Sequence, residues 1–161
     1  MHSVDRVDLL APDDPWRSYA RTEVVIARPG ATNLVVEAAP IGSVGRWPWP
    51  WAPERVVHVV TAWDPGDARP GEEENRRRQA ALEVDLELLA PGEAWPAVGV
   101  DPVSGHREEG VAACGLDAGQ ARELGARYGQ DAIFEWTREG WTIVACRGER
   151  RAVLGWSLAR P

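Results

Sequence analysis

The amino-acid sequence predicts an α+β fold: one domain over residues 1–161, with a largely antiparallel or mixed sheet covered by two helices. Three observations predict it. "TEVVIA" (Thr22 to Ala27) and "NLVVEAA" (Asn33 to Ala39) flank the turn-rich "RPGAT" and read as a hairpin. The chain then runs strands, helix, strands, helix, strands, without the strict alternation of a doubly wound fold. Each of the two helical segments carries an apolar stripe at helical spacing.

The elements follow in order. "RVVHVVTAW" (Arg55 to Trp63) is a long β-branched run that reads as a central strand. The helix Glu72 to Ala90 follows, with Leu82, Leu86 and Leu89 on one face. Counting back seven from Leu82 reaches Asn75, so Asn75 faces the sheet. "AWPAVGVD" and "EGVAACG" are two strands around the "PVSGHR" loop. The second helix spans Ala118 to Tyr128, with Asp117 as N-cap, Gln120 in capping-box position and Gly129 ending it. Three strands close the sequence, "AIFEWT", "WTIVAC" and "AVLGWSLA".

Composition excludes several functions. A length of 161 residues, 44% of them hydrophobic and 27% charged, suits an ordinary soluble globular protein. The net charge of -7 argues against nucleic acid, and the one basic cluster, Arg76 to Arg78, is offset by Glu72, Glu73 and Glu74. All 18 basic residues are Arg, so lysine-nucleophile chemistry is ruled out. The start, "MHSVDRVDLLAPDD", lacks signal-peptide architecture, and no apolar stretch approaches membrane-spanning length. The expectation is a cytoplasmic protein with no membrane partner. Cys114 and Cys146 lie in apolar segments and read as reduced and buried. His2, His58 and His106 show no ligand spacing with each other or the cysteines, and neither a metal nor a cofactor is expected. His58 shares a strand face with Val56, Val60 and Ala62, as a satisfied core histidine would. Ser3, Ser18, Ser43, Ser104 and Ser157 have no nucleophile-elbow motif around them.

"RWPWPWAP" (46–53) is the oddest composition in the chain. Alternating Pro holds the backbone extended, and Trp47, Trp49 and Trp51 then project in different directions. At least one indole is expected at the surface. A loop pinned to the core, a ligand lid, a homodimer contact and a protein-partner contact are all compatible with it.

Polar residues gather where "VVTAWDPGDARPGEEEN" turns from strand to helix. Asp64 lies in the turn, Asn75 faces the sheet, Gln130 and Asp131 occupy a second corner, and Glu108 and Glu109 begin another strand. Each has a plain structural role. Asp64 to Asp67 is ordinary turn chemistry, Asn75 satisfies the turn backbone, Gln130 and Asp131 cap a helix end, and the two glutamates form a solvated strand start. The functional reading sets a small-molecule site above the corner. Asp64, Glu108 and Glu109 are then candidates for acid/base catalysis, and Trp63, Asn75, Gln130, Asp131 and Trp49 for binding. The helix start is already complemented by three glutamates, so amides, hydroxyls or cations suit the cluster better than phosphate. The competing reading is a non-catalytic adaptor that docks through Trp47, Trp49 and Trp51.

"VTAWDPGD", Asn75, "EEGVAACGL" and "YGQDAIFEW" together resemble an uncharacterised bacterial family, domain of unknown function 3293. Its members carry an ITAWNP-like strand end, an Asn within the next helix, an acidic E-x-S strand start and FGQ-N/D-A. The resemblance covers Arg55 to Trp136 and implies a small cytoplasmic bacterial α+β protein with no established activity. Two departures stand out: Asp64 replaces the pattern's Asn, and Gly110 replaces its Ser.

Overall fold

The computed structural model describes residues 8–66 and 68–159; His2, Ser3 and Asp67 lie outside the described residues. The elements are α1 (Arg17–Arg21), β1 (Glu23–Ile26), β2 (Leu34–Ala39), β3 (Val57–Thr61), α2 (Glu72–Leu89), β4 (Glu93–Val100), β5 (Arg107–Cys114), α3 (Ala118–Arg127), β6 (Ala132–Thr137), β7 (Gly140–Ala145) and β8 (Arg151–Leu158). The strands form a closed barrel in the order β1-β2-β8-β7-β6-β3-β5-β4. Every junction is antiparallel, including the one that returns β4 to β1.

The expected α+β sheet covered by two helices is therefore corrected to an eight-stranded antiparallel barrel. The expected strands and both expected helices are present, but the sheet closes on itself. The physical reason is visible in β3, which is apolar on both faces because both find cover. Val57 and Val59 face the barrel interior, while Val60 and Ala62 face outward to Leu82 and Leu86 of α2 and Leu124 of α3. A strand buried on two sides reads alike in a layered sheet and in a barrel with an outer helical layer.

The interior is a tryptophan core. Trp95, Trp136, Trp141 and Trp156 point in from their strands, and Trp47 and Trp49 enter from the β2–β3 loop. Trp47 meets Trp136 edge-on with ring centroids 5.1 Å apart, and Trp49 stacks on Trp95 at 5.5 Å. The Trp47 indole N–H donates to the Ala52 carbonyl at 3.1 Å, pinning the loop. The Trp-Pro segment thus stoppers the barrel at the end where β3 and β4 begin. As a contact surface it retains Trp51, 74% exposed, while Trp47 and Trp49 are core residues.

Helices α2 and α3 stand outside the barrel. The buried stripe of α2 is Asn75, Gln79, Leu82 and Leu86, and its first turn carries Glu72, Glu73 and Glu74 at the positive end of the dipole. α3 begins with the expected capping box, in which the Asp117 carboxylate accepts from Gln120 N–H at 2.7 Å. Gly125 brings α3 close to the barrel, because a Cβ there would lie 2.6 Å from Cys146 Sγ. Cys114 and Cys146 are buried, unlinked and in different clusters, and burial pushes each thiol up to about 11. His58, 2% exposed, faces outward with its Nε2 3.2 Å from Glu135. That contact and Arg151 hold Glu135 down at about 2 against the effect of burial. No helix among the described residues is long and apolar enough to cross a membrane.

Candidate functional site

The end of the barrel opposite the Trp-Pro stopper is partly covered by α1, whose Trp16 and Ala20 pack on Ile143, Ala145 and Leu154. Inside it lies a cavity of about 510 Å³. Its floor is apolar, made by Val24, Val59, Ala97 and Phe134, and its rim is polar, with Tyr19, Asp64, Arg69, His106, Glu108, Gln130 and Asp131. Thr61, Gly99 and Gly110 form the wall between them. Glycine is required at 110, because a Cβ there would lie 2.5 Å from the Val60 carbonyl oxygen.

The strand-to-helix corner is built around Asp64. Its φ of 42° is a left-handed conformation that a non-glycine residue holds at a cost of about 1–3 kcal/mol. Asn75 supplies the compensation from beneath. Its Oδ1 accepts from the Asp64 backbone N–H, and its Nδ2 donates to Asp64 Oδ1, both at 2.9 Å. The neighbouring carbonyls are also satisfied. Arg78 donates to Ala62 and Tyr128, Gln79 to Gly110 at 3.1 Å, and Gln130 to Trp63 at 3.1 Å. Asn75→Leu leaves the Asp64 N–H and Oδ1 without these partners. A loss of about 1–3 kcal/mol is expected, measured as a lower urea midpoint at unchanged slope.

With Oδ1 held by Asn75, the other Asp64 oxygen turns to the cavity. Oδ2 lies 3.2 Å from His106 Nε2 and 4.0 Å from Arg69. The same His106 nitrogen lies 3.6 Å from Glu108 Oε2. Glu108 faces inward on β5, and His106, two residues earlier, shares its side. Burial and then the Asp64 charge push the Glu108 carboxyl up to about 7, partly offset by Arg69. The rim is tied to α1 by Arg21, which donates to both oxygens of Asp101 at 2.8–3.1 Å. Burial opposes ionisation of Asp101, but Arg21 and the Val103 and Ser104 N–H groups hold it down at about 2.

The cavity thus brings together Asp64, Glu108, Gln130 and Asp131 of the residues expected from the sequence. Asn75 sits beneath it as a support. Trp63 is half-buried and contributes its carbonyl to Gln130. Glu109 points away from the cavity and is exposed. Trp49, expected at the site, is in the core at the other end, because its loop folds inward. His106 has no ligand spacing to the other histidines or to the cysteines. The informative spacing was to Glu108, two residues along a strand start. Among the described residues no set of three His, Cys, Asp or Glu side chains is arranged to hold a metal ion.

Residues 60–133 match the family described as Protein of unknown function (DUF3293). The match covers less than half of the chain. It runs from the second half of β3 into β6 and contains the Asp64–Asn75 corner, His106, Glu108 and Gln130. The matched segment therefore supplies the acidic side of the cavity, whereas Tyr19 and Val24 come from outside it. No match was found among curated proteins or among solved structures.

Proposed function

We propose that the cavity at this end of the barrel binds a small organic molecule and that Glu108 exchanges a proton with it, assisted by His106 and Asp64. The observation that carries this reading is one wall of the cavity, where two carboxylates flank one imidazole nitrogen above an apolar floor. About 510 Å³ lies within the roughly 300–1,000 Å³ typical of small-molecule pockets. A carboxyl displaced to about 7 is poised to give or take a proton near neutral pH. His106 is placed to relay that proton, and Asp64, fixed by Asn75, orients His106. The adaptor reading has less support, since the Trp-Pro segment offers Trp51 alone as an exposed indole.

The test is to fill the floor. Ala97 lines the cavity and carries the smallest floor side chain. A fragment library screened by NMR is expected to give ligands that shift signals from Val59, Phe134 and Glu108, with binding lost in folded Ala97→Phe. Ligands that survive this substitution, or that shift only residues outside the lumen, would refute the reading.

A further inference from the structure

We propose that the molecule taken by the lumen is an organic cation with an apolar body: an amine whose ammonium meets the carboxylates of Asp64 and Glu108 beside His106, and whose body rests on Val24, Val59, Ala97 and Phe134. The inference rests on the lumen being a binding site and adds the chemical class of its occupant.

The charges around the opening carry it. Asp64 comes from the turn after β3, Glu108 from β5, and Asp131 from the bend just before β6. Asp101, at the end of β4, is already neutralised by Arg21. Among the described residues that line the cavity, Arg69 is the one guanidinium. It is 64% exposed and 4.0 Å from Asp64, so water screens it from the interior. His106 is the remaining ionisable base, shared between Asp64 and Glu108, and the Tyr19 hydroxyl completes the rim. An anion entering here would face these carboxylates as they lose water, and an alcohol would leave their charge uncompensated. An ammonium supplies the missing counter-charge and donates to both carboxylates. The raised Glu108 carboxyl agrees, since it marks a buried acid short of a cation. Below the rim the wall turns apolar, and the Tyr19 and Phe134 rings, 6.4 Å apart, add aromatic surface. A bare inorganic cation would leave that floor unused.

The test compares three probes with one body: phenethylamine, phenethyl alcohol and hydrocinnamate, titrated by calorimetry and by NMR. Above the Glu108 midpoint of about 7, the amine is expected to bind about tenfold or more tighter than the alcohol, as a charge-assisted contact should. Hydrocinnamate is expected to bind weakest. Lowering the pH through that midpoint protonates Glu108 and should weaken the amine while leaving the alcohol unchanged. Glu108→Gln should bring the amine down to the level of the alcohol. Ala97→Phe, or Val59→Phe if the former does not fold, should abolish binding of all three. If all three compete for the lumen with no preference for the amine, or with hydrocinnamate tightest, the cation proposal fails and the binding reading stands. If none shifts lumen signals at millimolar concentration, both fail.

Discussion

Trp136→Ala is expected to cost about 3–5 kcal/mol, the range for removing a fully buried large aromatic side chain. Trp136 is fully buried and sits at the centre of the indole cluster. Its ring lies 5.1 Å from Trp47, 5.4 Å from Trp49 and 5.3 Å from Trp156. Deleting it withdraws support from the stopper loop and from β8 together. For a domain whose total stability is about 5–15 kcal/mol, that is about a fifth or more of the reserve. Trp136→Phe separates packing from polarity. The indole N–H has no hydrogen-bond partner, so phenylalanine keeps much of the ring contact while removing an unsatisfied donor. Phenylalanine should therefore cost well under half as much as alanine. Urea unfolding of the three proteins checks both, and equal losses for the two variants would show that the N–H matters after all.

Glu108 should make stability fall as pH rises. Its carboxyl is displaced from an ordinary 4.5 to about 7, so the folded chain holds this proton more tightly than the unfolded one. The contribution is fully present below pH 4.5 and is lost as pH rises through about 7. A displacement of this size corresponds to a loss on the order of 3 kcal/mol. Glu108→Gln replaces the titrating group with a neutral one, and the loss should vanish. The variant should then be the more stable protein at pH 8 and differ little at pH 4. Melting temperatures across this interval check the sign. Parallel profiles for the two proteins would remove Glu108 from the buried, acid-flanked position argued for it. The same measurement needs no ligand.

The elements were legible because their signals are local. Asn75 was placed by counting along one helix, and the Asp117–Gln120 cap by a three-residue spacing. The closed barrel was not legible, because closure depends on pairings such as Val36 with Leu158 and Glu23 with Val100. Nothing in β2 or β8 alone states that they are neighbours. Trp49 was misplaced for a related reason. Alternating Pro reports an extended backbone, but whether an indole turns in or out is settled by the ring it meets, here Trp95. The candidate site was half legible. Asp64 and Glu108 were read from polar residues at element ends, while His106 was hidden in a loop whose partner, Asp64, lies far away in the sequence. The cavity floor was invisible, since Val24, Val59, Ala97 and Phe134 look like any core residues until the barrel leaves space above them.

The order of strands around the ring also bears on how the chain assembles as it is made. β1, β4, β5, β3 and β6, which wall the cavity, are consecutive around the barrel. All of them have been synthesised once the chain has passed Thr137. The ring itself has to wait, because β2 finds its second neighbour only when β8 is complete. The wall can therefore be laid as an open sheet before the cylinder shuts, and the joint between β2 and β8 is a seam sealed late. Joining strands so distant along the chain is slow compared with forming hairpins. Until that seam seals, the nascent sheet has two unpaired edges and an uncovered tryptophan face, the stretch of its life when it most needs shielding from other chains.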